Sequence, residues 1–438
     1  MRVNKNYVLG LLTVMLCFNY MDRFALGIVL PDIKNDLQLS DSQLGFLSGM
    51  AFALFYSFLG IPIARWADRG NRTTIVALSA AVWSVAVTLC GVAATFLQLL
   101  LIRVAVGIGE AGCVPPSLSL LADYFRRDER PRAVAVYMQG ISASFIVGFF
   151  AAGWLNELLG WRLMFAVIGA PGLLLALLAR TTVKDPRTMR QTATTHAAAT
   201  GEGESFRIVL AAIWRIGTFR HVLYSLAVNW FLTYGTLQWT PTFFVRSFGL
   251  RTGPLGSWLA VIYGVSSLVG TYLGGEWATR HANRNERLQL QGMALITAVS
   301  GVLIAFMFVP ALAPGYFLAL LWLGLSMLTA ATVNGPQFAV IQALIPARRQ
   351  ALAIAIVYLC GNLVGLGLGP WAVGALSDWL RPWVADESLR YSMLLLCPGF
   401  IWSAWHLWLA SKTVNADMAT VADDSQYARS NEQPYLNS

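Results

Sequence analysis

Long apolar windows separated by short polar gaps follow one another along most of the chain. Because a bilayer core about 30 Å thick requires roughly 20 apolar residues per helix, each window predicts one membrane-spanning helix. The predicted spans are residues 7–31, 44–66, 74–95, 97–121, 133–155 and 163–179 in the first half, and 221–245, 255–279, 288–309, 316–345, 351–376 and 391–409 in the second. The pattern therefore predicts an all-α membrane protein with twelve transmembrane helices in two six-helix halves.

Polar stretches in this pattern divide the chain into four parts. Residues 1–180 and 220–411 are each expected to form a six-helix bundle. Residues 181–219 include Pro186 and a Thr/Ala-rich run, and they predict a cytoplasmic linker between the bundles. Residues 412–438 are polar without helical periodicity, so a disordered cytoplasmic tail is expected there.

Composition and charge agree with a membrane location. Hydrophobic residues make up 57% of the chain, charged residues 12%, and the mean hydropathy is +0.59. The net charge of +9 has a simple topological explanation, because most of the 31 Lys and Arg residues fall on one side of the membrane if the amino terminus is cytoplasmic. We therefore predict a multi-pass protein of a bacterial cytoplasmic membrane, with both termini in the cytoplasm and no nucleic-acid partner.

Several functions are excluded by what the sequence lacks. The five cysteines lie inside apolar segments without metal-ligand spacing, which is typical of buried hydrophobes. The sequence contains no Gly-x4-Gly-Lys-Ser/Thr phosphate loop, no nucleophile elbow and no His-Glu-x-x-His motif. We therefore predict no enzymatic activity, no cofactor and no metal site.

Four ionisable residues lie inside two predicted spans, Asp22 and Arg23 in the first and Arg103 and Glu110 in the fourth. An ionised side chain at the bilayer centre costs at least about 2.5 kcal/mol, so these residues are expected to face a protein interior with a partner. At about 1.5 Å per residue, Asp22 and Arg103 lie roughly 13 and 9 Å below the same membrane boundary. Arg103, Gly107 and Glu110 are spaced so that they share one helix face. The two helices can therefore bring their charges together, with Asn19 on the same helix as Asp22.

This group of charges allows two interpretations. One is a proton and anion site, in which a substrate that binds an arginine changes the binding of a proton to a neighbouring carboxylate. The other is a permanently paired network that only fixes helix packing. Four ionisable groups exceed what packing requires, which favours the proton and anion site.

Other polar or aromatic residues within the spans are candidates for a substrate cavity, which needs an apolar wall and a few placed polar groups. They are Tyr56, Tyr137, Gln139, Asn229, Trp230, Tyr234, Trp239, Asn334, Gln337, Tyr358 and Asn362. Helix packing is the alternative role for each of them. Pro115-Pro116 and Gly335-Pro336 predict breaks in the fourth and tenth helices.

The loop after the second span of each half carries a repeated motif. It is Ala64-Arg-Trp-Ala-Asp68-Arg69-Gly70-Asn71-Arg72 in the first half and Gly275-Glu-Trp-Ala-Thr279-Arg280 in the second. The motif resembles the loop signature of the major facilitator superfamily. The resemblance implies a gating role for Asp68, Arg69 and Arg72. Thr279 replaces the expected acid, so a symmetric latch is not predicted.

Further motifs resemble the Spinster family within that superfamily. They are Asn19-Tyr20-Met21-Asp22-Arg23, Arg103-x3-Gly107-Ile-Gly109-Glu110-Ala111, Gly361-Asn362, Gly369-Pro370 and Gly374-x3-Asp378. The resemblance implies a secondary transporter that uses alternating access and moves a lysophospholipid or a sphingoid-base phosphate with or against protons. We also predict that the protein is a monomer. Asp22 and Glu110 would then carry the proton, and Arg23 and Arg103 would hold the anionic head group. The alternatives are an organic-anion symporter, a drug or metabolite exporter, or a membrane sensor that does not transport.

Overall fold

The computed structural model describes residues 4–187, 206–282 and 285–432, and this part of the chain is almost entirely helical, without a strand. In chain order the spans are α1 (Lys5–Leu37), α2 (Asp41–Gly45, the π-helical turn Phe46–Met50 and Ala51–Arg69), α3 (Arg72–Cys90), α4 (Phe96–Ala111 and Val114–Tyr124), α5 and α6 (together Arg130–Thr182), α7 (Gly217–Phe248), α8 (Thr252–His281), α9 (Glu286–Phe308), α10 (Tyr316–Ala331 and Asn334–Leu344), α11 (Ala347–Cys360, the π-helical turn Gly361–Leu368 and Gly369–Val384) and α12 (Ser388–Leu396 and Pro398–Glu432).

The prediction of twelve membrane-spanning helices is confirmed. Over the described residues, nine helical segments are long and apolar enough to cross a membrane. Two of these segments, Arg130–Thr182 and Leu352–Thr420, contain two spans each. The twelfth span is α7, which is less apolar but has 32 residues, or about 48 Å of helix.

Local sequence signals set several helix boundaries. The side chain of Asn71 accepts a hydrogen bond from the backbone of Thr74 and caps α3. Ser40 and Gln43 form a reciprocal capping box at the start of α2. Gly160 separates α5 from α6, since its φ of 76° lies in the left-handed region that glycine enters at little cost.

Two helices are broken at corresponding positions in the two sequence halves. In both α4 and α10 a helix of 16 residues is followed, after a short turn, by a helix of 11 residues. The second segment begins beside Pro115-Pro116 in α4 and beside Gly335-Pro336 in α10. Proline cannot donate the backbone hydrogen bond that a continuous helix would need at that point. The breaks therefore occur where the sequence predicts them.

The helices form two compact units, whose limits are Met1–Ala198 with Thr233–Gly264 and Leu366–Met393 for the first, and Ala199–Leu232 with Val265–Gly365 and Leu394–Ser438 for the second. In the first unit, α1 and α3 both pack along the α5–α6 helix, and α4 packs against α2 and α3. In the second unit, α9 packs against α10 and α12. The prediction of one six-helix bundle for each sequence half stays a prediction.

The polar segments are partly described. A short helix, Phe206–Arg215, lies within the predicted linker, whereas residues 188–205 are outside the described part of the chain. At the other end, α12 continues to Glu432, where the polar composition predicts a disordered tail. This stretch contains alanines and no glycine or proline, which favours continuation of the helix.

Candidate functional site

The first pair of buried charges joins α1 to α4. Arg103 Nη1 donates a hydrogen bond of 2.7 Å to Asp22 Oδ2, and the two side chains are 1% and 0% exposed. Removal of either partner would leave an uncompensated buried charge. The depth argument from the sequence therefore places these two residues correctly with respect to each other.

The second pair joins the same two helices. Arg23 Nε donates to Glu110 Oε2 over 3.0 Å, and Nη2 makes a second, shorter bond to the same oxygen. Glu110 is fully buried, whereas 11% of the Arg23 side chain is exposed. We call Asp22, Arg23, Arg103 and Glu110 the central site. Arg23 is the most accessible of the four.

Aromatic rings surround the Arg23 guanidinium. Its Cζ atom lies 4.2 Å from the ring centroid of Tyr20, 4.5 Å from that of Phe52 and 5.2 Å from that of Tyr56. A cation over an aromatic face gains about 0.5–2 kcal/mol, depending on its hydration. The cavity candidate Tyr56 is thus part of the central site. The three rings orient Arg23, the more exposed of the two arginines at this site.

The central site has buried polar atoms without a hydrogen-bond partner. They include Asp22 Oδ1, Glu110 Oε1 and both amide atoms of Asn19, all on side chains no more than 1% exposed. Asp22 and Glu110 are also close enough for their carboxylates to repel each other. A buried polar group left unpaired costs about 1–3 kcal/mol, and more when it is charged. The site is therefore not the fully paired network that packing alone would favour.

Two glycines explain how α4 brings its charges this close to α1. A Cβ atom on Gly107 would lie 2.9 Å from the Phe52 carbonyl oxygen of α2, and one on Gly109 would lie 2.5 Å from the Trp83 nitrogen of α3. Neither contact is compatible with a side chain. The Gly-x-Gly spacing before Glu110 therefore lets α4 fit between α2 and α3.

The loop residues predicted to gate transport have different surroundings. Arg72 is completely buried, and it pairs with Asp123 at the end of α4 and with Asp185 just after α6. Burial alone would raise the pKa of Asp185, but hydrogen bonds from the Arg72 side chain and backbone hold that pKa below its ordinary value. Arg69 is exposed, and the side chain of Asp68 lies outside the described part of the chain. Arg72 thus connects elements of the first sequence half, and a gating role remains a prediction.

The remaining cavity candidates are divided between the two units. Tyr137 is buried and Gln139 is exposed, both on α5, while Tyr234 and Trp239 lie on the part of α7 that belongs to the first unit. The candidates of the second unit are Asn229, Trp230, Asn334, Gln337, Tyr358 and Asn362. Among them, Trp230 and Tyr358 have ring centroids 6.0 Å apart. Their participation in a substrate site remains a prediction.

Sequence reasoning missed a second set of charges, where α1 ends and α2 begins. Asp41 is 1% exposed and pairs with Lys34 and Arg246, each over 2.6 Å. Asp378 accepts hydrogen bonds from the first residues of α2. The Gly374-x3-Asp378 motif and the Ser40–Gln43 capping spacing were visible in the sequence, but nothing local shows that residues more than 300 positions apart meet.

Twelve membrane-spanning helices with paired charges buried among them are typical of a membrane transporter. The family model of the Major Facilitator Superfamily matches residues 12–370, and the chain belongs to this superfamily. It is a transporter and not an enzyme.

Individual relatives indicate which members of the superfamily this chain resembles. The chain is 29% identical over 413 residues to an MFS-type efflux pump of Mycolicibacterium smegmatis, covering 93% of each protein. It is 25% identical over 401 residues to protein spinster homolog 1 of Xenopus tropicalis, covering 86% of this chain and 75% of that one. A crystal structure of a bacterial homolog to the human lysosomal transporter Spinster, inward-facing and unoccupied, matches with a TM-score of 0.81 and 28% identity, over 95% of this chain and 99% of that chain. The Spinster-like character predicted from the motifs is confirmed.

Proposed function

We propose that this transporter moves an amphipathic anion by alternating access and couples that movement to one proton shared by Asp22 and Glu110. The observation that carries the proposal is the pairing at the central site. Each carboxylate has one oxygen bound to an arginine and one buried oxygen without a partner. Because the two carboxylates are close enough to repel each other, a single proton shared by the pair would remove that repulsion.

Charge balance gives the direction of the coupling. With both carboxylates ionised, the two arginines and two acids of the central site sum to zero. One bound proton leaves a net charge of +1 in a buried region, where an unbalanced charge is costly. An anionic substrate would restore neutrality, so the proton-loaded form binds the anion more tightly. By reciprocity, the anion strengthens proton binding by the same factor.

Exposure distinguishes the two arginines. Arg23 has accessible surface and three aromatic rings around it, so it is placed to contact the charged group of a ligand. Arg103 is 1% exposed and would have to release Asp22 first. Arg23 is therefore the proposed head-group residue, and Arg103 the residue that holds Asp22 in place and transmits substrate binding to it.

The resemblance to the Spinster family implies an amphipathic substrate of the lysophospholipid or sphingoid-base phosphate class. Most Lys and Arg residues fall on one side of the membrane, which supports an orientation with both termini in the cytoplasm of a bacterial cell. The alternative within transport is a short organic anion or a drug, which would contact the same arginine but would not require an extended apolar wall. Competition between lysolipids and short organic anions for binding to the purified protein separates these two classes.

The test is gradient-driven transport in proteoliposomes with an imposed pH difference, using a lysolipid and a short organic anion as separate probes. Glu110→Gln and Asp22→Asn are expected to abolish the response to the gradient while permitting exchange of the probe between equal pools. The matched acid-to-amide control is Asp128→Asn, whose side chain is 73% exposed and which should transport normally. Undiminished gradient-driven transport in both site variants defeats the proposal. Saturable binding without flux of either probe would favour a sensor.

A further inference from the structure

A second group of polar residues lies at the membrane end opposite the amino terminus, where α1 ends and α2 begins. Asp41 is the first residue of α2 and is almost completely buried. Its two carboxylate oxygens accept hydrogen bonds from Arg246 over 2.6 and 2.7 Å, from Lys34 over 2.6 Å and from Ser377 Oγ over 2.8 Å. Lys34 belongs to the first sequence half, whereas Arg246 and Ser377 belong to the second. Asp41 thus connects the two sequence halves through charge-assisted bonds.

Asp378 of α11 makes the reverse connection. Its Oδ1 accepts the backbone N–H of Asp41 over 3.0 Å, and its Oδ2 accepts the backbone N–H of Ser42 over 2.7 Å and a shorter bond from the Ser42 hydroxyl. The first N–H groups of a helix have no partner within it and carry about half a positive charge, so a carboxylate there is stabilising. The second sequence half therefore caps a helix of the first.

The backbones of α2 and α11 approach closely just below these carboxylates. A Cβ atom on Gly45 would lie 2.4 Å from the Pro370 carbonyl oxygen, and one on Gly374 would lie 2.2 Å from that of Asp41. Such contacts are possible only between glycine and a facing backbone. The polar groups therefore lie over a tightly packed seam.

Both helices contain a π-helical turn at this seam, Phe46–Met50 in α2 and Gly361–Leu368 in α11. The two turns meet, because a Cβ atom on Gly49 would lie 2.5 Å from the Gly367 carbonyl oxygen. π-helical turns are rare, interrupt the regular hydrogen-bond pattern of a helix, and often occur at functional sites. Each helix is therefore locally irregular where it would have to bend for the seam to part.

We infer that Lys34, Asp41, Arg246, Ser377 and Asp378, the distal cluster, form a reciprocal latch. Each sequence half supplies one carboxylate to the other, and the facing π-helical turns are the hinges on which the distal ends of α2 and α11 separate. This inference rests on alternating access in the proposed function but not on the proton or the substrate. Opening would expose both carboxylates and the first N–H groups of α2 together, so the latch has two states and no half-open one.

A nearby ion pair at the same membrane end provides a contrast. Asp36 of α1 pairs with Arg162 of α6 within the first sequence half, and their side chains are 44% and 38% exposed. Exposed ion pairs contribute about 0–1 kcal/mol because water solvates both partners when they separate. Asp36→Asn therefore changes an acid to an amide at the same end without removing a bond between the sequence halves.

The test measures the distance between spin labels at Gln38→Cys and Trp383→Cys, two exposed positions at the distal ends of α1 and α11, in protein reconstituted into nanodiscs without substrate. The five native cysteines are replaced first. Asp41→Asn and Asp378→Asn are each expected to raise the population of longer distances about tenfold over the parent. Ser42→Ala removes a single neutral donor and should raise it less.

The matched control Asp36→Asn should leave the distance distribution at that of the parent. The inference is overturned if Asp378→Asn, which preserves side-chain shape, folds with the distances of the parent, or if Asp36→Asn opens the distal end as much as Asp378→Asn does. If Asp41→Asn fails to fold, the distances measured in Asp378→Asn test the latch alone. Because no gradient or substrate is present, failure of the proton proposal leaves this result unaffected.

Discussion

The central site and the distal cluster both pair buried carboxylates with arginine, yet they differ in how completely the carboxylates are satisfied. At the distal cluster every oxygen of Asp41 and Asp378 accepts at least one hydrogen bond. At the central site one oxygen of Asp22 and one of Glu110 have none. A complete set of partners favours one fixed arrangement, whereas an incomplete set leaves capacity for a proton or a ligand. The comparison suggests that the first region holds a conformation and the second does the coupling.

The largest effect is expected from breaking the buried pair at the central site. Arg103→Met would leave Asp22 buried without its cation, which costs about 3–5 kcal/mol for a pair of this kind. The double variant Arg103→Met with Asp22→Asn should recover at least half of that loss, because no unpaired charge remains. Thermal unfolding in detergent measures both. Equal stability of the single and double variants would show that Asp22 carries no charge in the folded protein.

A smaller loss is expected at Arg72, whose surroundings are as fully paired as the distal cluster. Arg72→Met should cost about 2–3 kcal/mol at neutral pH through lost charge-assisted bonds to Asp185. Because the pKa of Asp185 is depressed in the folded protein, this stabilisation is present above the ordinary carboxyl pKa of about 3.9 and is lost as pH falls through the depressed value. The stability difference between parent and variant should therefore shrink in acid; a difference that grows in acid would contradict the assignment.

The smallest effect is expected from a change that leaves every charge of the distal cluster in place. Gly374→Ala puts a methyl group against the Asp41 carbonyl oxygen and should push α11 from α2, at about 1–3 kcal/mol. The distal spin labels should then report longer distances. Gly10→Ala is the matched control, because no atom lies within 4 Å of its new Cβ. If both variants keep the distances of the parent, close backbone packing is not part of the latch.

Much of the fold could be predicted from the sequence, because a membrane-spanning helix can be recognised from about 20 consecutive apolar residues. The pairing of α1 with α4 was also predictable, since depth and helical periodicity restrict where Asp22 and Arg103 can lie. The sequence could not predict which arginine pairs with which carboxylate, because Arg23 and Arg103 both reach the same region.

The distal cluster could not be predicted for another reason. The predicted second span begins at residue 44, which assigned Asp41 to a loop, and its partners are distant in sequence.

The contribution of glycine shows a similar limit. Gly107 and Gly109 could be recognised as close-approach positions within a motif, but the sequence does not tell which helix approaches. The structure assigns Phe52 of α2 to one and Trp83 of α3 to the other. Long-range packing of this kind follows from the whole arrangement and not from any local pattern.

The central claim is that Asp22 and Glu110 share one proton, and infrared difference spectroscopy of the purified transporter tests it most directly. A protonated carboxylic acid has its own carbonyl stretching band, which an ionised carboxylate lacks. As pH is lowered, we expect one such band in the parent protein, lost in both Glu110→Gln and Asp22→Asn and retained in the exposed control Asp128→Asn. A parent spectrum without that band, or a band that persists in both site variants, would contradict the claim.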